Sequence, residues 1–407
     1  MEKKIDEQFE FRRLNTEYFF QNQIIREKRN REKKNLQYTN FFNTAFNSLV
    51  DKNYVAARQA CKSLRKNCLK WLLYLEFEYY CNVFRINLPS SEDIAFSFCV
   101  SVKRLGKFLQ KVQKKLPVNR FIEKTYKEFI DFKNQEERYC TLPIKNIAVC
   151  ATMSAGKSTF VNALLGRDVL PARNEATTAK ITSVYDKDTV KSLLGFVQQD
   201  NVLAHRCLDT TLTTINNWND AENVTRIFLQ GDLDGIKNNS TIAAVHDTPG
   251  TNNSSDISHY HITLHFLLDQ KLDAIVYVAN VTQLCTTDEN MMLKEIYEKI
   301  IRKNNLPIIF VLNKADCIDV EREDIVEILK TYKKYLEEIG FDNPKIFPIS
   351  SKAARILKML KNNLTANFTG KEKKELKFIQ TEYPDLISTG LPQVEEYIEQ
   401  IIGGYND

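Results

Sequence analysis

Glycine is almost missing from the first third of this 407-residue chain. Of its 12 glycines, Gly106 alone falls within residues 1–140. A stretch without residues that tolerate left-handed turns reads as long helices with short connections. The nine cysteines (61, 68, 81, 99, 140, 150, 207, 285 and 317) are odd in number, scattered, and never spaced CxxC. That excludes a disulfide framework and a paired-ligand zinc site, and predicts idle or buried thiols in a reducing cytoplasm. No uncharged apolar run reaches the length of about 20 residues that crosses a bilayer. The charged start MEKKIDEQFEF predicts no secretory leader. Histidine is scarce, with five in all. His261 and His265 are spaced to share a helix face near His259, but no third ligand is evident, so a metal site there is not expected. No Ser/His/Asp set or redox cysteine pair is evident either.

What the chain has is a charge split. Residues 1–140 hold 28 Lys and Arg against 17 Asp and Glu, a net of +11, which leaves −6 for the remainder. The stretches REKRNREKK (26–34) and KRLGKFLQKVQKK (103–115) concentrate the positive charge. They read either as solvated helix faces or as surfaces for an anionic membrane or RNA. Lipid attraction is worth about 1 kcal/mol per basic residue, and RNA contacts would be as salt-sensitive.

Periodicity and breakers predict helices near 4–34, 40–50, 54–84, 91–116 and 119–138, packed as an antiparallel bundle, with Ser91 opening the fourth. In the aromatic segment 68–84, Lys70, Glu76 and Glu78 are read as the wet face of a bundle helix rather than as part of a membrane-touching patch. The predicted division is a basic helical bundle over 1–140 and an α/β domain with a mostly parallel sheet over 141–404. Within the second, a helix is expected at 200–221, a strand at 225–233, a polar surface excursion at 361–377 and a closing amphipathic helix at 390–402.

Four separated segments carry the chemistry. ATMSAGKST (151–159) follows the short apolar strand NIAVC (146–150) and precedes the helical STFVNALLG. The form A/G-x-x-x-x-G-K-S/T is a phosphate-binding loop. Ser154, Ala155, Gly156 and Thr159 lie along it. Gly156 permits close backbone approach, Lys157 reaches the β- and γ-phosphates, and the Ser158 hydroxyl binds Mg²⁺. DTPG (247–250) ends the run TIAAV. There Asp247 holds Mg²⁺ through water and Gly250 offers its N–H to the γ-phosphate. NKAD (313–316) ends LPIIFVL, and the Asp316 carboxylate matches the N1–H and N2–H₂ edge of guanine. Adenine lacks that donor pair and is penalised. Asn313 bonds the base and a neighbouring loop, and the Lys314 stem covers the base. Ser350, Ser351 and Lys352, in PISSKAA (348–354), supply a last base-contacting loop. All four segments are predicted at strand ends, where ligands of open α/β sheets bind.

SAGKSTFVNALLGRDVLP (154–171), ATTAKIT (176–182), DTPGTNNSSDISH (247–259) and TTDENMMLKEI (286–296) together resemble the dynamin-like GTPases of bacterial type, over roughly 144–404. The resemblance implies that Thr178, or its neighbour Thr177, closes over Mg²⁺ and the γ-phosphate. It also implies that Ser154 helps place a monovalent cation and the attacking water, in the role an arginine finger plays elsewhere. Three departures stand out. Ala151 replaces a glycine, Met153 replaces a water-orienting glutamine, and no C-terminal stalk of the family's kind is expected. Met153 puts the rate of hydrolysis in question more than binding, because a thioether is a poor hydrogen-bond partner.

The expectation is therefore a cytoplasmic GTPase, peripheral at the inner face of a membrane, that binds GTP with Mg²⁺ and hydrolyses it to drive a conformational change. Ser154, Lys157 and Thr178 are its expected catalytic residues, and Ser158, Thr178 and Asp247 its expected metal ligands. Implied partners are a second copy through the nucleotide domain, an anionic membrane surface and a protein supplying the stalk. An RNA- or ribosome-associated GTPase and a GTP-regulated scaffold with little turnover remain alternatives.

Overall fold

A computed structural model of the chain describes residues 7–27, 41, 43–64, 67–83, 87–113, 120–171, 180–188, 190, 192–199, 202–237, 240–250, 257–319, 321, 323–364 and 368–403. It divides into two compact units, one ending at Thr141 and the other beginning at Leu142. Among the described residues, no helix is long and apolar enough to cross a membrane.

Among the described residues the regular elements of the N-terminal unit are helices: Glu7–Glu27, 43–50, Tyr54–Ser63, Asn67–Val83, Ser91–Ser97, Val102–Gln113 and Arg120–Thr141. Its core gathers Phe20, Leu49, Ala57, Leu72, Phe98, Leu105, Phe108 and Phe129. Trp71 stacks on Phe108 at 4.0 Å between ring centres. Four expectations need correction. The single helix expected over 54–84 is two, because the first ends at its cap Leu64. The helix expected over 91–116 breaks after Ser97, where Phe98 caps it and Cys99 takes a left-handed φ of 55°. The residue that caps Ser91–Ser97 is Ser90, which accepts from the Asp93 N–H. Lys70 and Glu76, read as solvated, are buried, and burial holds the Glu76 carboxyl well above the usual range.

The second unit is built on a nine-stranded sheet: β1 Ile144–Ala151, β2 Ile181–Asp186, β3 Leu194–Gln199, β4 Val202–Cys207, β5 Val224–Gly231, β6 Ile242–Asp247, β7 Ala274–Asn280, β8 Ile308–Asn313 and β9 Lys345–Pro348. The order is β4-β3-β5-β2-β6-β1-β7-β8-β9. β6, β1, β7, β8 and β9 run parallel, as do β2 and β5, while β2 meets β6 antiparallel and β3 pairs antiparallel with both neighbours. β1, β6, β7 and β8 read as near-continuous Ile, Val and Ala because helices cover both faces. One face packs Val149, Val161, Leu165 and Val276 with the helix Lys157–Leu165. The other packs Tyr277, Phe310, Met292 and Tyr332.

The helix expected over 200–221 is corrected to β4 followed by a shorter helix, Leu212–Asp220. Among the described residues β4 is an edge strand paired with β3 alone, and it shows no regular alternation for a sequence pattern to reveal. The excursion expected at 361–377 contains the start of an ordered helix, Gly370–Glu382. That helix opens with a capping box in which Thr369 and Glu372 satisfy each other's backbone N–H groups.

Candidate functional site

The phosphate loop is the turn between β1 and the helix Lys157–Leu165. It bends through two left-handed residues, Ser154 at φ 61° and Gly156 at φ 89°. A Cβ on Gly156 would fall 2.3 Å from the Asn313 amide nitrogen, so this glycine is required by contact as well as by φ. Gly156 caps the helix without any side-chain acceptor, which leaves the first-turn N–H groups to receive an anion. Ala151 is fully buried in the sheet core, so its methyl group is accommodated there.

Lys157 and Asp247 form a buried ion pair, with Nζ 2.5 Å from Oδ1. The Ser158 hydroxyl donates to the other carboxylate oxygen at 3.1 Å. Asp247 sits on the last residue of β6, and the register places it beside Val149 of β1. The next residue, Thr248, anchors this strand end by donating its hydroxyl to the Val149 carbonyl at 2.9 Å. Gly250 lies against the Met153 backbone, 3.5 Å from its Cα to a built Cβ. Cation, hydroxyl and carboxylate therefore meet at one point beside an uncapped helix end. Hard oxygen donors of this kind suit Mg²⁺, so Ser158 and Asp247 fit the ion that the sequence implies. Thr178 and Thr177 lie outside the described residues.

The second cluster forms at the ends of β8 and β9. The Asn313 side chain donates to the Ala155 carbonyl at 2.8 Å and accepts from the Ser351 N–H at 3.1 Å. It thus ties the phosphate loop to the 350 loop. Lys314 is left-handed at φ 66° and opens the short turn Ala315–Cys317 that presents Asp316. Ser350 caps the helix Ser351–Lys361 and donates its hydroxyl to Asp316 Oδ1 at 2.6 Å. Lys352 pairs with Glu375 at 2.7 Å. A cleft of about 680 Å³ runs between the clusters, with Gly156, Thr159, Lys314, Asp316 and Lys352 in its wall.

Several lining or supporting groups escaped the sequence reading. Asn162 accepts from the Val169 and Leu170 N–H groups and donates to the Leu170 carbonyl, folding the VLP turn over the cleft. Arg355 bridges Asp168 and Glu372. The run NALLGRDVLP contains Asn162 and Asp168, but nothing in its spacing announces Arg355, nearly 200 positions later.

Residues 147–315 match the Dynamin family. A protein described as uncharacterised, from the xynA 3′ region of Caldicellulosiruptor sp. (strain Rt8B.4), is 29% identical over 220 residues, 53% of this chain and 51% of its own. The chain thus spans about half the length of that relative. Among solved structures, an oligomerised bacterial dynamin pair described in connection with long-range sensing and tethering of membranes is 17% identical. That likeness covers 81% of this chain and 57% of the other, at a TM-score of 0.42. Era of Aquifex aeolicus, bound to GDP and aluminium fluoride, is 20% identical over 56% of this chain and 58% of its own, at 0.31.

Proposed function

We propose that this chain, whose residues 147–315 match the Dynamin family, binds GTP with Mg²⁺ and hydrolyses it by in-line attack of water on the γ-phosphate. The observation that carries the reading is one cleft lined at one end by Gly156 and Thr159, which flank the Lys157 and Ser158 that contact Asp247, and at the other by Asp316, held by Ser350.

In this reading the Lys157 ammonium and the uncapped N–H groups of its helix balance charge developing on the phosphate oxygens. Bound Mg²⁺ would offset charge on the phosphate oxygens, and Ser158 and Asp247, with Thr178, are the residues that would hold it. Ser154, exposed at the bend of the loop, helps place the attacking water and a monovalent cation. Asp316 selects guanine because an adenine would leave the carboxylate without its two donors. Gly250 and Thr178 respond to the γ-phosphate, and their release on hydrolysis is the conformational output. Residues 1–140 form the basic helical unit that carries this output to an anionic membrane surface, and the nucleotide domains pair between copies.

Titration calorimetry with Mg²⁺ is expected to show binding of GTP and GDP and far weaker binding of ATP. Equal affinity for adenine and guanine nucleotides removes the reading. In single-turnover assays Ser154→Ala is expected to slow hydrolysis while leaving GTP affinity near wild type. Unchanged turnover takes Ser154 out of the mechanism.

A further inference from the structure

Among the described residues, the carboxylates that line the nucleotide cleft are Asp168, Asp316 and Glu372. Asp316 is the proposed reader of the base. Glu372 is fully engaged. Its Oε1 accepts from Nη2 of Arg355, and its Oε2 accepts from both the N–H and the hydroxyl of Thr369, each at 2.8 Å. Asp168 differs. Its Oδ1 accepts from Nη1 of Arg355 at 2.5 Å, while among the described residues its Oδ2 has no partner. The side chain is 19% exposed. The cleft wall therefore holds one oriented acceptor that neither the phosphate nor the base reading uses.

Asp168 is placed from two sides. Asn162 follows Thr159 by three positions on the helix Lys157–Leu165, so the two share a face, and both line the cleft. Asn162 holds the turn just after Asp168, accepting from the Val169 and Leu170 N–H groups at 3.1 and 2.8 Å. Opposite, Arg355 follows Lys352 by three positions on the helix Ser351–Lys361, and both of these line the cleft as well. Asp168 is thus tied to the phosphate wall through Asn162 and to the base wall through Arg355. A nucleotide with its phosphates at Gly156 and its base at Asp316 carries its sugar between those walls. Ribose offers two adjacent hydroxyl donors there, and a carboxylate is an acceptor only. An acidic side chain plays this part toward ribose in dinucleotide-binding folds. A metal ion suits the position less well, because the Arg355 guanidinium already offsets the charge. Asp168 also belongs to no group of ligands close enough to share an ion, since among the described residues that group is Asp186, Asp188 and Asp232.

We propose that Asp168 accepts hydrogen bonds from the ribose hydroxyls of the bound guanine nucleotide, and that Arg355 is the positioning residue that aims it. The site then takes ribonucleotides in preference to deoxyribonucleotides. Deleting a hydroxyl leaves the oriented oxygen without its donor, and that loss falls on the deoxy nucleotide alone. The inference rests on the guanine-nucleotide reading of the cleft and adds its sugar specificity.

The test is titration calorimetry on the full chain with Mg²⁺ and GDP, 2′-deoxy-GDP, 3′-deoxy-GDP and ADP. The nucleotides are unlabelled, because fluorophores attached to the ribose would occupy the hydroxyls in question. Wild type is expected to bind at least one deoxy nucleotide about 10-fold more weakly than GDP, the scale of one hydrogen bond to a charged group. Asp168→Ala is expected to bind GDP and both deoxy nucleotides alike, still ahead of ADP. Arg355→Lys, which cannot bridge two carboxylates with a planar fork, is expected to keep guanine over adenine and to lose part of the sugar discrimination. A purely structural role would weaken all the guanine nucleotides together and leave their ratio unchanged. Absence of GDP binding by wild type, or equal binding of ADP, overturns the guanine reading itself. Preference for guanine with equal affinity for the three guanine nucleotides overturns the sugar contact alone, and needs no variant. Discrimination that survives Asp168→Ala overturns the assignment to Asp168, and full discrimination in Arg355→Lys overturns the positioning role.

Discussion

At the scale of single residues, the phosphate end of the site is an economy of few side chains. Lys157 is 7% exposed and Asp247 fully buried, so neither charge has water to fall back on. Removing one partner of a buried pair costs about 3–5 kcal/mol, because the remaining charge stays desolvated. Lys157→Ala is therefore expected to abolish GTP binding and also to lower the melting temperature of the nucleotide-free protein. Gly156→Ala acts differently. Its methyl would collide with the Asn313 amide and strain a left-handed backbone, so it should weaken nucleotide binding while the Lys157–Asp247 pair persists. Calorimetry and thermal melts on both variants check this, and a wild-type GTP affinity in Gly156→Ala speaks against the close approach. These residues were legible because phosphate chemistry forces a fixed local spacing, glycine then lysine then serine. Ser350 and Asp316 were legible as separate motifs, but their mutual hydrogen bond was not. Contacts between distant loops leave no periodicity in sequence.

At the scale of elements, strands with two covered faces announced themselves, since continuous apolar runs such as IIFVL have no other home. β4 did not, because its place at the sheet edge comes from pairing with β3 and not from its own pattern. The break after Ser97 was equally silent. A left-handed Cys99 does there what a glycine would have signalled. One polar relay crosses the sheet interior and was also invisible. Arg226 of β5 donates to the Ser183 hydroxyl of β2, at 3.2 Å from Nε and 3.0 Å from Nη2. His246 of β6 contacts that hydroxyl at 2.9 Å through Nδ1 and the side-chain amide oxygen of Asn146 in β1 at 3.1 Å through Nε2. With Arg226 donating to Ser183, the serine proton goes to Nδ1 and the Nε2–H to Asn146. This is a neutral imidazole. Burial first, and the Arg226 cation second, hold its pKa well below the usual value. The unfolded chain then binds a proton below about pH 6.5 that the folded chain refuses, so this residue's contribution is present above that pH and is lost below it. The loss approaches about 1.4 kcal/mol per pH unit until the folded pKa is reached. Buried Glu76 and Asp186, whose pKa values are raised, push stability the opposite way over the same acid range. The informative quantity is thus a difference. The stability gap between wild type and His246→Gln is expected to shrink as pH falls from 7 to 5, measured by urea melts, and a pH-independent gap contradicts the neutral relay.

At the scale of the whole molecule, the charge split is the property most directly readable from composition, and the structure gives it a local form. The helix Val102–Gln113 buries Leu105 and Phe108 and turns Lys103, Arg104, Lys107 and Lys111 outward. It contains no acidic residue, and among the described residues none of the four cations has an ion-pair partner. Surface lysines of the nucleotide unit, by contrast, are repeatedly matched to a glutamate one turn away, as in Lys299–Glu295 and Lys371–Glu375. Leaving four like charges unpaired on one face costs a fold some self-repulsion, which an anionic surface would relieve. Four cations at about 1 kcal/mol each suffice for measurable attachment to a charged bilayer at low salt. The full chain is therefore expected to sediment with phosphatidylserine vesicles and not with phosphatidylcholine vesicles, and to detach as salt rises past the screening range. Lys103→Glu/Lys107→Glu/Lys111→Glu should abolish sedimentation while leaving GTP affinity untouched. Retained sedimentation in that variant moves the membrane contact elsewhere in the chain. Sedimentation with RNA in place of the vesicles, lost in the same variant, assigns the stripe to a nucleic acid instead.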